Sequence, residues 1–80
     1  MMWIGIDMNK TGQNIVALRK SAGISVKDLQ EAFGFTTPQA IYKWQNGKSL
    51  PTVDNLVNLA GILKVTVDEL LIVCSRQYVA

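Results

Sequence analysis

Two short helical patterns joined by a tight turn, in the middle of the chain, constrain its fold more than any other feature. Ser25 and Asp28 have the spacing of a capping box, which satisfies orphan backbone amides where a helix begins. The second pattern predicts Thr37 as a cap, with Pro38 at the first helical position, where a missing amide costs nothing. Gly47 is expected to end this helix in a left-handed turn. Two helices meeting at such a bend can lay the second one into a DNA major groove.

The remaining chain predicts three more helices and a short strand at each end. Apolar residues at helical spacing, with their caps and glycine stops, predict helices over about 11–22, 26–33, 38–46, 52–63 and 66–71. The side chains expected in the core from the second, third and fourth helices are Val26, Leu29, Ala32, Phe33, Ile41, Trp44, Leu56, Leu59, Ala60 and Leu63. Gly61 weakens the fourth helix by about 1 kcal/mol relative to alanine, so we expect close packing around it.

The two ends of the chain, 1–8 and 72–79, are rich in β-branched and aromatic residues and predict short strands. These strands could pair within one chain or between two chains, and they need the helices behind them because two strands alone are marginal. We therefore expect one domain over residues 1–80, mainly α, with a helical core over 11–71.

Composition excludes several classes of protein. The chain has 80 residues and no histidine, and its one cysteine, Cys74, cannot form an internal disulfide. Such cysteine usage favours a reducing, cytoplasmic location, and no apolar run reaches the ~18 residues of a membrane span. Without a glycine-rich phosphate loop, a metal-ligand spacing or a base that could activate Cys74, we expect no catalytic residue, no metal and no cofactor.

Charge is distributed unevenly along the chain. Residues 10–48 carry six basic and two acidic side chains, whereas the rest carries two basic and four acidic ones. The basic residues thus concentrate on the half that holds the two central helices. A surface that faces a polyanion requires such a distribution, although an ordinary mixed surface could also produce it with so few charges.

Residues 11–71 resemble the lambda-repressor-like helix-turn-helix family, which includes the phage repressor, Cro and XRE-type regulators. The resemblance lies in an ordered set of segments: IVALRKSAG over 15–23, SVKDLQEAFG over 25–34, IYKWQNGK over 41–48, Pro51, and VTVDELL over 65–71. It departs in three places: the turn over 34–37 is one residue longer, Pro38 replaces an often polar residue, and Gln45 replaces a usual glutamate. In the family that glutamate commonly pairs with an arginine at the position of Arg19. Here a neutral hydrogen bond is expected instead, which would leave Arg19 for a phosphate.

The resemblance and the helix geometry together identify the residues expected to contact DNA. Gln39 projects from the first turn of the third helix, and glutamine can pair bidentately with adenine. Lys43, one turn later, could contact guanine or a phosphate, and Tyr42 could contact a phosphate or thymine methyl groups. The expected phosphate contacts, which position the protein without reading sequence, are Arg19, Ser25, Lys27, Asn46, Gly47 and Lys48.

These features favour a sequence-specific double-stranded DNA-binding regulator, a repressor acting as a homodimer with the end strands as its dimer element. Two alternatives remain open: an antitoxin that represses its own promoter and binds a toxin, and a protein-interaction module that kept the fold and lost DNA binding. The predicted binding partners are therefore double-stranded DNA, a second copy of the chain and, in either alternative, another protein. No association with a membrane is predicted.

Overall fold

A computed structural model describes the backbone of residues 2–77 and the side chains of residues 4–74. Five helices lie between two strands, in an order that agrees with the sequence patterns. The elements are β1 (Met2–Ile6), α1 (Met8–Ser21), α2 (Val26–Phe33), α3 (Gln39–Gln45), α4 (Val53–Leu63), α5 (Val67–Leu70) and β2 (Val73–Gln77). The chain is thus mainly α with a small two-stranded sheet, as expected, and none of the helices within residues 2–77 is long and apolar enough to cross a membrane.

The core lies where the helices meet. Its buried apolar side chains are Ile15, Leu29, Ile41, Trp44, Leu59, Ala60, Leu63 and Leu70. Val26, Phe33 and Leu56 pack against this core while staying partly exposed. Two expectations are wrong: Ala32 is exposed, and so is Gly61, around which a Cβ would meet nothing within 4 Å. Ala32 lies beside the buried stripe of α2, and Gly61 lies on the side of α4 opposite its buried stripe.

The first helix begins three residues earlier than periodicity predicted. Met8 was expected to belong to the first strand, but it is the first residue of α1. The Asp7 side chain accepts a hydrogen bond from the Lys10 amide at 2.9 Å, which is the N-cap arrangement. This cap was missed because Met8 also fits the alternating apolar pattern of the first strand, with Ile4 and Ile6.

The third helix also begins differently from the prediction. Thr37 does not cap it; Pro38 itself occupies the N-cap position, and no side chain there accepts a capping hydrogen bond. The connection from α2 to α3 contains Phe35, whose ring packs against Phe33 and Trp44. The helix starts at Gln39, one residue later than predicted. Gly47 has a φ of 73°, so the left-handed turn expected after this helix is present.

The two strands pair within one chain. β1 and β2 are antiparallel, with Met2 opposite Gln77 at one end and Ile6 opposite Val73 at the other. The Asp7 amide donates to Ile72 O at 2.8 Å, which joins this sheet to the start of α1. The strand expected over 72–79 begins at Val73, and positions 78 and 79 lie outside the described residues, as does the first residue of 1–8.

Candidate nucleic-acid interface

One face of α3 is exposed and polar. At about 100° per residue, the members of this face span an arc of about 100° around the helix. They are Gln39, Tyr42, Lys43 and Asn46, and all four are exposed. On the opposite side Ile41 and Trp44 are buried, as expected. The residues predicted to read bases therefore lie together on a solvent-facing surface, and the two apolar residues attach the helix to the core.

An aromatic cluster attaches α3 to α2. The Phe33 and Phe35 rings stack with centroids 5.2 Å apart, and the Trp44 ring forms T-shaped contacts with them at centroid distances of 5.6 Å and 6.0 Å. Gln30 Nε2 also donates to Phe35 O at 3.3 Å, which holds the turn between the helices. Sequence reasoning missed Phe35. Its only signal was a large apolar residue inside a predicted turn, where an exposed side chain would be polar.

The N-terminus of α2 carries the capping box that the sequence predicts. Ser25 N donates to Asp28 Oδ2 at 2.9 Å, and Asp28 N donates to Ser25 Oγ at 3.0 Å. The hydrogen bond from the Ser25 backbone, and secondarily that with its side chain, hold the pKa of Asp28 below its ordinary value. The Val26 and Lys27 amides have no intrahelical acceptor at these positions, and the Lys27 side chain is exposed.

The Arg19 side chain extends from α1 and hydrogen-bonds beside the start of α2 and the end of α3. Its Nε donates to Gln45 Oε1 at 3.1 Å, and its Nη1 donates to Ile24 O at 2.9 Å. Both acceptors are neutral, so they hold the guanidinium in place and leave its positive charge uncompensated. Ile24 immediately precedes the start of α2, and Gln45 is the last residue of α3. Arg19 therefore presents a positive charge beside both elements of the candidate interface.

The family comparison agrees with this arrangement. A helix-turn-helix family model matches residues 15–70, which is more than half of the chain and includes α2, α3 and the turn between them. The chain belongs to the XRE-type helix-turn-helix family. The helix-turn-helix itself is α2 followed by α3, with α3 in the place of the recognition helix.

Solved structures share this fold over about four fifths of the chain. The restriction-modification controller protein C.AhdI from Aeromonas hydrophila is similar at 26% identity with a TM-score of 0.71, over 80% of this chain and 96% of that one. The DNA-binding domain of BldD is similar at 26% identity with a TM-score of 0.68, over 81% of this chain and 93% of that one. A structure of that domain from S. venezulae has the same identity and TM-score and covers 96% of that chain. No curated protein sequence matches the chain.

The amides predicted to form a phosphate site after α3 have acceptors within the chain. The amides of Asn46, Gly47 and Lys48 donate to Tyr42 O at 2.9 Å, Trp44 O at 3.2 Å and Lys43 O at 2.9 Å. Each amide thus already has an acceptor within the chain. The exposed groups here that remain able to meet a phosphate are the side chains of Asn46 and Lys48.

The exposed surface of the helix-turn-helix carries groups that can hydrogen-bond to a nucleic acid. Among the described residues, no three His, Cys, Asp or Glu side chains lie close enough to hold a metal ion. The exposed side chains of α3 are an amide, a phenol and an ammonium group, which hydrogen-bond to base edges and phosphates.

Proposed function

We propose that this protein is a transcriptional regulator that binds a specific double-stranded DNA sequence as a homodimer and acts as a repressor. The observation that carries the proposal is the exposed arc of Gln39, Tyr42, Lys43 and Asn46 on a recognition helix whose other face is buried. The similarity to the DNA-binding domain of BldD supports DNA as the ligand. The similarity to C.AhdI, a controller protein, supports a regulatory role.

Gln39 and Lys43 have the roles of base readers in this proposal. Glutamine offers an acceptor and a donor that match N6 and N7 of adenine, and lysine can donate to O6 and N7 of guanine. Tyr42, which is 46% exposed, lies on the same face and contacts a thymine methyl group or a phosphate.

Phosphate contacts come from both sides of the recognition helix. Arg19 brings a charge that its neutral partners do not cancel, and Lys27 and Lys48 bring exposed ammonium groups. The Ser25 hydroxyl accepts from Asp28 N and still has a proton to donate. For Gly47 we propose an indirect role: its amide donates to Trp44 O at 3.2 Å, and its left-handed φ directs the chain so that Lys48 follows the helix.

A single recognition helix reads only a few base pairs, so a homodimer is needed to recognise a longer site. In such a dimer the two α3 helices contact half-sites that lie about one turn of the DNA double helix, or roughly 34 Å, apart. The β1–β2 sheet is the proposed contact between copies. Ile4 and Val73 of this sheet are 63% and 60% exposed, and a two-stranded sheet gains stability when it is covered.

The test is selection of binding sites from random duplex DNA at two salt concentrations. Recovery of an inverted repeat with half-sites about one helical turn apart supports a dimeric, sequence-specific regulator. Recovery of no sequence at either salt overturns the proposal and favours a protein-interaction module. Co-purification of a small basic protein would instead indicate the antitoxin alternative.

A substitution in the recognition helix tests the assignment of base readers. Gln39→Ala should relax the preference at one base position of each half-site and cost about 1–3 kcal/mol of specific binding. Gln13→Ala, at an exposed glutamine of α1, is the matched control and should leave the selected sequence unchanged. If Gln39→Ala selects the same sequence as the wild type, α3 does not read DNA through its first turn.

A further inference from the structure

A glycine in α1 makes room for the backbone of the recognition helix. Gly12 is buried, and a Cβ placed on it would lie 2.5 Å from Trp44 O and 2.8 Å from the Gln45 carbonyl carbon, and closer still to Gln45 O. Ordinary contact begins at 3.4 Å, so Trp44 O would have to retreat from 2.5 Å to 3.4 Å, or about 0.9 Å. The clashing atoms belong to a helix backbone, which cannot rotate away as a side chain can. Any side chain at Gly12 therefore displaces the end of α3.

A second contact joins α1 to the turn after α3. Gly47 lies against Asn9, and an added Cβ would be 3.0 Å from Asn9 Cα and 3.1 Å from its Cγ. Asn9 and Gly12 are three residues apart and so share one face of α1. This face holds both the last turn of the recognition helix and the turn that follows it.

We propose that Gly12 is a positioning residue that sets the orientation of α3 toward DNA. α3 has seven residues and is about 10 Å long, so a shift at one end changes the placement of the whole helix. Hydrogen bonds to base edges require placement within about 0.5 Å, which is less than the shift that a Cβ at Gly12 imposes. Lysine contacts to phosphate tolerate such a shift because the side chain is flexible.

This inference rests on the proposed function, because it requires that α3 reads bases. It goes further in predicting that specificity depends on a residue of α1 that is buried and cannot touch DNA. A glycine in a helix interior is normally unfavourable relative to alanine. The close approach of α1 and α3 is the packing reason for its presence.

The experiment compares Gly12→Ala with the wild type on two duplexes of equal length, the selected operator and a scrambled sequence, at one salt concentration. We expect affinity for the operator to fall at least tenfold, the order of losing one good base contact, and affinity for the scrambled duplex to change less than about twofold. Gly61→Ala is the matched control. It adds the same methyl group to a helical glycine with nothing within 4 Å, and the ratio of the two affinities should stay unchanged.

Circular dichroism establishes that each variant is folded under the binding conditions. An unchanged ratio in folded Gly12→Ala would overturn the inference, since Gly12 would then serve packing alone. If Gly12→Ala does not fold, the Gly12→Ala/Gly61→Ala double variant, which gains helix propensity in α4, is measured at low temperature. If that variant is also unfolded, Gly12 determines stability and not orientation, and the inference is wrong. A wild-type protein without operator preference would instead overturn the proposed function itself.

Discussion

Replacing Gln45 with glutamate should stabilise the protein and weaken its binding to DNA at the same time. Arg19 Nε donates to Gln45 Oε1 at 3.1 Å, and its other acceptor, Ile24 O, is also neutral. A glutamate has the same length as glutamine and would place a carboxylate where the amide oxygen is now. The hydrogen bond would become an ion pair, and the charge that we assign to a phosphate would be neutralised within the protein.

The size of both effects follows from the geometry. Two unit charges about 4 Å apart attract by about 4 kcal/mol at an effective dielectric constant of about 20. Arg19 and Gln45 are only half-buried, so side-chain entropy, desolvation and salt reduce the gain in unfolding free energy to about 1 kcal/mol. Loss of one phosphate contact lowers the slope of log K against log [salt] by about 0.9 per protomer, which weakens binding about fivefold per protomer at about 0.15 M salt.

Urea denaturation measures the gain in stability, and fluorescence anisotropy of a labelled operator across a salt series measures the slope. Asn58→Asp is the control, because Asn58 is an exposed residue of α4 and the change adds the same charge without a hydrogen bond to Arg19. The control should leave the salt slope close to that of the wild type. If Gln45→Glu stabilises the protein and leaves the slope unchanged, Arg19 does not contact a phosphate, and the reasoning is refuted.

Two further predictions concern the hydrogen bonds between Thr11 and Ile72, the residue before β2, and the cap of α2. Thr11 is fully buried, and its Oγ1 accepts from Ile72 N at 2.9 Å and donates to Ile72 O at 3.4 Å. Thr11→Val keeps the shape but removes both bonds, so urea denaturation should show a loss of about 1–3 kcal/mol, while exposed Thr36→Val should show little. Because the folded-state pKa of Asp28 is lowered, its carboxylate stabilises the fold above the unfolded pKa of about 3.9, and this contribution disappears as pH falls through the folded value. Asp28→Asn should therefore flatten the acid side of the stability profile, and an unchanged profile would contradict the capping role.

The sequence determined those features that depend on neighbours along the chain. The bounds of α2, Val26–Phe33, were predictable because Ser25 and Asp28 cap each other and Gly34 accepts a left-handed φ of 71°. The division of α3 into a buried face with Ile41 and an exposed face followed from helical spacing alone. Local hydrogen bonds and periodicity are encoded within a few residues, so a single sequence reveals them.

Only the tertiary structure decided the features that depend on residues far apart. The rings of Phe35, Phe33 and Trp44 form one cluster, a contact that no local pattern in the predicted turn indicated. Gly12 and Gly61 look alike in sequence, yet one lies against the backbone of α3 and the other faces open space. Periodicity reports which side of a helix is apolar. It does not report how closely another backbone approaches that side, because this distance is set by the packing of all the elements together.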